Sequence, residues 1–200
     1  MTCKHCCGAD QLFDLKGARK ELKKYQKKGP GKSTSKLIKL IFCKDDLNGK
    51  SLLDIGGGIG KIQWAFLQNG GSKSVDVDAS LGYLQVAEEF ARANDFPEKA
   101  SFFHGDFVDH SKEIDVADFV TLDKVICCYP DYKSLLKKSL EKCGDSIGVV
   151  YPLGGPISKA IIQFNKLYFL LKKNPFRTYI HSPKEIENYI LDHGFTTSYK

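Results

Sequence analysis

From residue 50 onward the chain alternates between two hydrophobic patterns. Short, nearly continuous apolar runs recur at "KSLLDI" (50–55), "KSVDVD" (73–78), "ASFFHG" (100–105), "VADFVTLD" (116–123) and "SIGVVYP" (146–152). Their length and density predict buried strands. Between them, apolar residues return every three or four positions in "KIQWAFLQNG" (61–70), "SLGYLQVAEEFARAND" (80–95) and "YKSLLKKSLEKC" (132–143), the period of a helix with one buried face. Ile62, Ala65 and Phe66 are expected inward from the first of these helices, and Gly70–Gly71 and Gly144 supply stops. Upstream, "GPG" (29–31) separates a helix over 11–28 from a second over 35–42 that Ser33 or Thr34 can cap. Downstream, an amphipathic helix is expected over 157–173, then a helix over 182–194 with Ser182 as cap and Pro183 in its first turn, then a last strand at "FTTSYK" (195–200). Alternation of this kind predicts an α/β three-layer sandwich, with a mostly parallel, doubly wound sheet and extra N-terminal helices. One domain is expected, comprising an N-terminal helical extension (1–45), a central core (46–152) and C-terminal helices with a strand (153–200).

Composition changes this picture little. No apolar run reaches the roughly 18–20 residues of a membrane span, and "MTCKHCCGAD" lacks the apolar stretch of a secretory signal, so a cytoplasmic protein is expected. The seven cysteines are odd in number, scattered and partly adjacent, which argues for reduced thiols rather than a disulfide framework. "CKHCC" (3–7) gathers soft ligands, but no second ligand pair is evident; a loosely packed tail with no metal is the expectation.

Charge is uneven. Residues 1–50 carry 13 Lys/Arg against 5 Asp/Glu, most of them within "KGARKELKKYQKKGPGKSTSK" (16–36). Two readings stay open: a solvated helix face with Leu15, Ala18, Leu22 and Tyr25 packed inward, or a positive rim that attracts an anionic substrate or nucleic acid.

The candidate chemistry begins at "LLDIGGGIG" (52–60), where a strand ends in four glycines within five positions. A triphosphate loop needs Lys then Ser or Thr after its last glycine, and Gly60 is followed by "KIQ". A dinucleotide fingerprint, G-x-G-x-x-G, fails in both phases, at Lys61 and at Gln63. The pattern that fits is D-x-G-x-G-x-G: Asp54, Gly56, Gly58 and Gly60. It resembles the first motif of the class I, Rossmann-like S-adenosylmethionine-dependent methyltransferases. That cofactor has an adenosine and a methionyl sulfonium but no phosphate, so the glycines let the backbone run against it.

Asp78 ends the second strand, 22 residues beyond Gly56, where the resemblance implies a carboxylate that accepts from both ribose hydroxyls. The alternatives are that Asp78 only caps the next helix, or that Asp76 makes the ribose contact. "DASLGYLQVA" also follows the family's pattern, with Tyr83, Leu84 and Ala87 on the inner helix face. In "HGDF" (104–107) the resemblance implies that Asp106 accepts from the adenine amino group and Phe107 packs on the ring. Cofactor contacts are thus expected from Asp54, Gly56, Gly57, Gly58, Gly60, Asp78, Ala79, Asp106, Phe107 and Asp123.

"LDKVICCYPD", "GVVYP" and "NPFRTYIHSP" (174–183) are similar to a group of small bacterial methyltransferases and, more distantly, to magnesium-protoporphyrin methyltransferases. The family usually closes its sheet with an antiparallel seventh strand; that strand is expected to be missing after "FTTSYK", which implies either a shortened sequence or a bare sheet edge there that a partner could cover. Methyl transfer from a sulfonium is an in-line displacement, for which alignment at about 3–3.5 Å matters more than a dedicated residue. Asp123, Tyr129 and His181 are the catalytic candidates by position, with Lys124 as a further lining residue. The expected acceptor is a small molecule, with a monomer or weak dimer as the working unit. Two alternatives remain: an RNA or protein methyltransferase docking through the basic segment, and a non-catalytic binder of the cofactor. The Cys127–Cys128 pair adds thiol-assisted methylation of arsenite as a minor alternative.

Overall fold

A computed structural model describes residues 4–42, 46–155, 163–165 and 168–198. Five strands form one sheet: β1 (Ser51–Ile55), β2 (Lys73–Asp78), β3 (Ala100–His104), β4 (Ala117–Asp123) and β5 (Cys143–Val150). All neighbours are parallel, and the order is β3-β2-β1-β4-β5. The α-helices that accompany them include α1 (Lys4–Leu12), α2 (Leu15–Lys28), α3 (Lys32–Phe42), α4 (Lys61–Gln68), α5 (Leu81–Ala93), α6 (Phe107–His110), α7 (Tyr132–Glu141) and α8 (Pro183–Asp192).

The two-residue repeat of the strands divides the core. Leu52 and Phe119 face a cluster containing Phe42, Trp64 and Phe66 from α3 and α4. Leu53, Ile55, Val120 and Leu122 face the other side, against Leu135 and Leu136 of α7 and Ile186 of α8. Parallel strands covered on both faces read as apolar throughout, which is why their runs stood out in the sequence. Among the described residues, no helix is long and apolar enough to cross a membrane.

Several expectations are corrected. The helix expected over 11–28 is two helices, because Asp14 caps α2 by accepting from Gly17 N–H at 2.7 Å. The loose tail expected before it is α1, with Cys6 and Ala9 buried. Thr34 does not cap α3, which starts at Lys32; it is buried in the helix. In α4, Ile62 and Phe66 are buried with Gln63, Trp64 and Leu67, whereas Ala65 is half-buried. β5 begins at Cys143, three residues early, and an irregularity between Ala117 and Phe119 absorbs the change of register. Residues 195–198 form no strand, residues 199–200 lie outside the described residues, and among the described residues β3 and β5 are the sheet edges. The aromatic and β-branched composition there resembles a strand, but such residues make one only beside a ladder they can pair with. Of the helix expected over 157–173, residues 163–165 and 168–171 are helical and the others up to 167 lie partly outside the described residues.

Candidate functional site

The sheet winds outward from β1 in one direction and from β4 in the other, and the crevice between their C-terminal ends is where such sheets take ligands. A cavity of about 300 Å³ lies there, lined by the ends of β1, β2 and β4, by the loop after β3, and by residues of α1 and α2. Gly56, Gly58 and Gly60 all have positive φ, at 66°, 65° and 78°. At Gly56 a β-carbon would also stand 2.6 Å from Val125 Cγ2. Together these place the loop's backbone, rather than side chains, against the cavity.

Asp78 sits at the end of β2 with both oxygens engaged: Gly58 N–H donates to Oδ2 at 3.0 Å and Ser80 N–H to Oδ1 at 2.7 Å. Ser80, not Asp78, caps α5, accepting from Tyr83 N–H. Each Asp78 oxygen keeps a further lone pair for a ligand hydroxyl. Burial raises its pKa, offset in part by the two N–H donors. Ala79 also lines the cavity, and its carbonyl meets His104 Nε2 at 3.1 Å.

Beneath the glycine loop, Asp54 and Asp76 are paired across β1 and β2 and are 1% and 0% exposed. Thr121 donates to Asp54 Oδ1 at 2.7 Å, and Gly57 N–H to Asp76 Oδ1 at 3.1 Å. The remaining oxygen of each has no hydrogen-bond partner among the described residues. A β-carbon on Gly57 would lie 2.7 Å from Asp54 Oδ2 and 2.8 Å from Asp76 Oδ1, so the two carboxyls converge under that residue. Burial pushes the Asp54 carboxyl up to about 7, against the Thr121 hydrogen bond. It pushes Asp76 well up too, helped by the charges of Asp78 and Asp54. Asp76 therefore belongs to the floor of the loop and does not line the cavity.

On the far side, Asp106 caps α6 by accepting from Val108 N–H at 2.9 Å. The Tyr129 hydroxyl lies 2.9 Å from both its oxygens, and Cys6 Sγ donates to Oδ2 at 3.4 Å. Phe107 is buried and lines the same wall. Cys6 belongs to α1, which lines the crevice with His5, Cys6 and Ala9. Its His5 stacks on Phe176 at 5.2 Å, its Gly8 carbonyl accepts from Asn174 Nδ2 at 3.1 Å, and its Asp10 accepts from Leu81 N–H at 2.9 Å.

Of the three catalytic candidates, Asp123 and Tyr129 line the cavity and His181 does not. Thr34 donates to Asp123 Oδ2 at 2.5 Å, and Lys124 Nζ lies 3.2 Å from Oδ1. His181 packs on Tyr132 at 4.2 Å between centroids, behind the Tyr129 carbonyl. Asp54, Gly56, Gly57, Gly58, Asp78, Ala79, Asp106, Phe107 and Asp123 all line the cavity; Gly60 does not, and it instead lets Trp64 pack, since a β-carbon would fall 2.5 Å from that ring. Sequence reasoning missed His5, Cys6, Ala9, Phe13, Glu21, Lys61 and Phe176, all of them lining residues. A hint was available for Glu21, the lone acid in the lysine-rich helix over 15–28. Among the described residues no group of three or more His, Cys, Asp or Glu is suited to a metal ion.

Known proteins share this geometry. Residues 53–141 match the family model described as a methyltransferase domain. No curated protein matches the chain in sequence. Among solved structures, magnesium protoporphyrin IX methyltransferase from Synechocystis PCC 6803 with bound SAH superposes with a TM-score of 0.73 at 15% identity, over 96% of this chain and 90% of that one. An O-methyltransferase family protein from Burkholderia thailandensis gives 0.62 at 14% identity, over 82% of this chain. This chain spans only about half of that protein, 51% of its length. The YcgJ protein from Bacillus subtilis gives 0.61 at 18% identity, over 82% and 68%. The shared fold is that of the class I, Rossmann-like methyltransferases, whose methyl donor is S-adenosylmethionine.

The residues present suit that donor. Five acids line the cavity (Glu21, Asp54, Asp78, Asp106 and Asp123) against two lysines, Lys61 and Lys124. Such a lining repels phosphate and attracts a cation, as a nucleoside with a sulfonium requires.

Proposed function

We propose that this chain is an S-adenosylmethionine-dependent methyltransferase acting on a small-molecule acceptor. The observation that carries the reading is the position of Asp78: at the end of β2, tied to Gly58, with lone pairs free at the cavity. Asp78 would hold the ribose hydroxyls, the glycine loop would run along the methionyl chain, and Asp106 with Phe107 would flank the adenine. When bound, S-adenosylmethionine supplies an electrophilic methyl group on a cationic sulfur.

What the protein adds is alignment and exclusion of water. The wall that α1 adds supports a small acceptor, since His5, Cys6 and Ala9 line the cavity and Cys6 is tied to Asp106. Asp123 is the carboxylate we place nearest the acceptor, steadied by Thr34 and Lys124, and able to take a proton from it. Tyr129, whose hydroxyl already donates to Asp106, serves the wall rather than the proton transfer. His181 has no part in this scheme.

Calorimetry with S-adenosylmethionine on the wild type, Asp78→Ala and Asp78→Asn tests it. Alanine should cost about 1.5–3 kcal/mol of binding, roughly 10- to 150-fold in Kd, with asparagine intermediate. Unchanged affinity in a folded Asp78→Ala protein would remove the basis for the reading. The exposed Lys16, Lys20 and Lys23 of α2 favour a second reading, docking of RNA, which is weighed below.

A further inference from the structure

The C-terminal part of the chain carries a charge imbalance of its own. From Ser146 to Lys184 the sequence holds six Lys/Arg and no Asp or Glu, whereas the whole chain has 24 acids in 200 residues. Within this acid-free stretch, residues 163–165 and 168–171 are helical. Their large apolar side chains divide in two. Phe169 is buried in a cluster with Ala9 of α1 and Phe176, and meets the Phe176 ring edge-on at 5.4 Å. Phe164, Tyr168, Leu170 and Leu171 face solvent instead, at 71%, 45%, 63% and 75% exposure. Positions 164, 168 and 171 are separated by four and three residues, the spacing of one helical face, and Phe169 falls outside it.

The helix ends in further charge. Asn174 N–H donates to the Phe169 carbonyl at 3.0 Å, and Lys173 takes a left-handed φ of 51°, which stops the helix. Lys172 and Lys173 are exposed directly after Leu170 and Leu171. Apolar residues scattered singly over a surface need no explanation, but a row of Phe, Tyr and Leu along one helix, accompanied only by bases, does. A helix on a soluble protein turns its apolar stripe to the core; among the described residues, this one turns only Phe169 there.

We propose that this face docks on a lipid bilayer bearing anionic headgroups. Phe164, Tyr168, Leu170 and Leu171 enter the boundary between headgroups and acyl chains, while Lys172 and Lys173 pair with the lipid charges. The helix lies on the membrane and does not span it. Two considerations select this occupant. A second copy of the chain would bring the same acid-free, basic stretch against itself, and like charges oppose that pairing. A polyanion such as RNA would satisfy the lysines and leave the apolar row in water, whereas an anionic bilayer satisfies both. Phe176, the packing partner of Phe169, lines the cavity, so the docked helix stands one side chain away from the site.

Co-sedimentation with two vesicle preparations tests it, one of phosphatidylcholine and one of three parts phosphatidylcholine to one part phosphatidylglycerol. Wild-type protein should partition onto the anionic vesicles about tenfold or more above the neutral ones. Phe164→Ser/Leu170→Ser/Leu171→Ser should lower that partitioning about tenfold or more. Lys172→Gln/Lys173→Gln should lower it by roughly 5- to 30-fold, at about fivefold per lysine. All these positions are exposed, so melting temperatures should stay within about 2 °C of wild type. No partitioning onto either vesicle would overturn the inference and leave the face to a protein partner. Equal partitioning onto both would overturn it by removing the anionic headgroup from the scheme. Binding that survives the serine variant but is lost in Lys16→Glu/Lys20→Glu/Lys23→Glu would move the lipid contact to α2 and overturn it too. So would a wild type that binds no vesicles but pairs in sedimentation velocity through the residues the serine variant removes.

Discussion

Asp54 and Asp76 show how much a glycine motif asks of what lies under it. Two carboxyls meet beneath Gly57, each with one oxygen lacking a hydrogen-bond partner among the described residues, and burial raises both pKa values. A carboxyl whose folded pKa lies above its unfolded value binds its proton more tightly when folded. Its contribution to stability is complete below the unfolded pKa, near 4, and is lost as pH rises through the folded value, about 7 for Asp54. The loss across that window is on the order of a few kcal/mol. Asp76→Asn keeps an acceptor for Gly57 N–H and brings an amide donor to the Asp54 side, so it should flatten this slope. Melting temperatures at pH 5 and pH 8 check the outcome: the variant should match the wild type at pH 5 and exceed it at pH 8. A variant that is less stable at pH 8 would mean that the second carboxylate is needed in its charged form. The sequence displayed Asp54 and Asp76 plainly, but a strand alternation of acid and valine reads equally as a half-exposed strand. Only the register of β1 on β2 shows that the two acids share one dry site.

Elements were legible where their pattern was local. β2 falls on 73–78 as read, and α8 starts after Ser182 with Pro183 in its first turn. Such features depend on a run of apolar residues or on a cap, both written in consecutive positions. α1 was missed because "KHCCGADQL" has no apolar face of its own; its order comes from distant partners, Phe176, Asn174, Leu81 and Asp106. This also bears on the cavity wall. α2 contributes Glu21 to the cavity and packs against α5 through Ala18, whereas α1 contributes His5, Cys6 and Ala9. Gly8 is the tightest point in the packing of α1, since a β-carbon there would sit 2.5 Å from the backbone nitrogen of Phe176. Helix propensity alone says that Gly8→Ala stabilises by about 1 kcal/mol. Overpacking against backbone costs about 1–3 kcal/mol, and we expect it to win. The melting temperature should fall by about 2–6 °C, with faster release of S-adenosylhomocysteine in stopped-flow displacement. A rise in melting temperature would show that α1 does not hold the 174–176 segment in solution.

At the scale of the whole molecule, the charges are arranged in opposition. The chain carries a net charge of +6, yet its cavity is lined by five acids and two lysines. The surplus positive charge lies outside, on α2, where Lys16, Lys20, Lys23 and Lys27 are exposed at helical spacing. Interior and exterior fields therefore act on different partners, and salt separates them. Contacts made to buried groups of the cavity are weakly screened, whereas an exposed lysine ridge binding a polyanion releases counterions and weakens steeply with salt. Salt is therefore the means of deciding between the small-molecule reading and RNA docking. Lys16→Glu/Lys20→Glu/Lys23→Glu leaves the cavity lining untouched. If the ridge is only a solvated face, the variant should keep its S-adenosylmethionine affinity within about twofold, while any binding of single-stranded RNA by the wild type should be weak and vanish by about 200 mM salt, where the screening length falls below 10 Å. If the ridge docks the substrate, the wild type should bind RNA with a log–log salt slope of about −2 or steeper, and the triple variant should lose about two units of it, at roughly 0.7 per lost contact on a single strand. Measuring both ligands on both proteins at 50 and 200 mM salt decides the matter, because a slope that survives the triple substitution would exclude α2 as the docking surface.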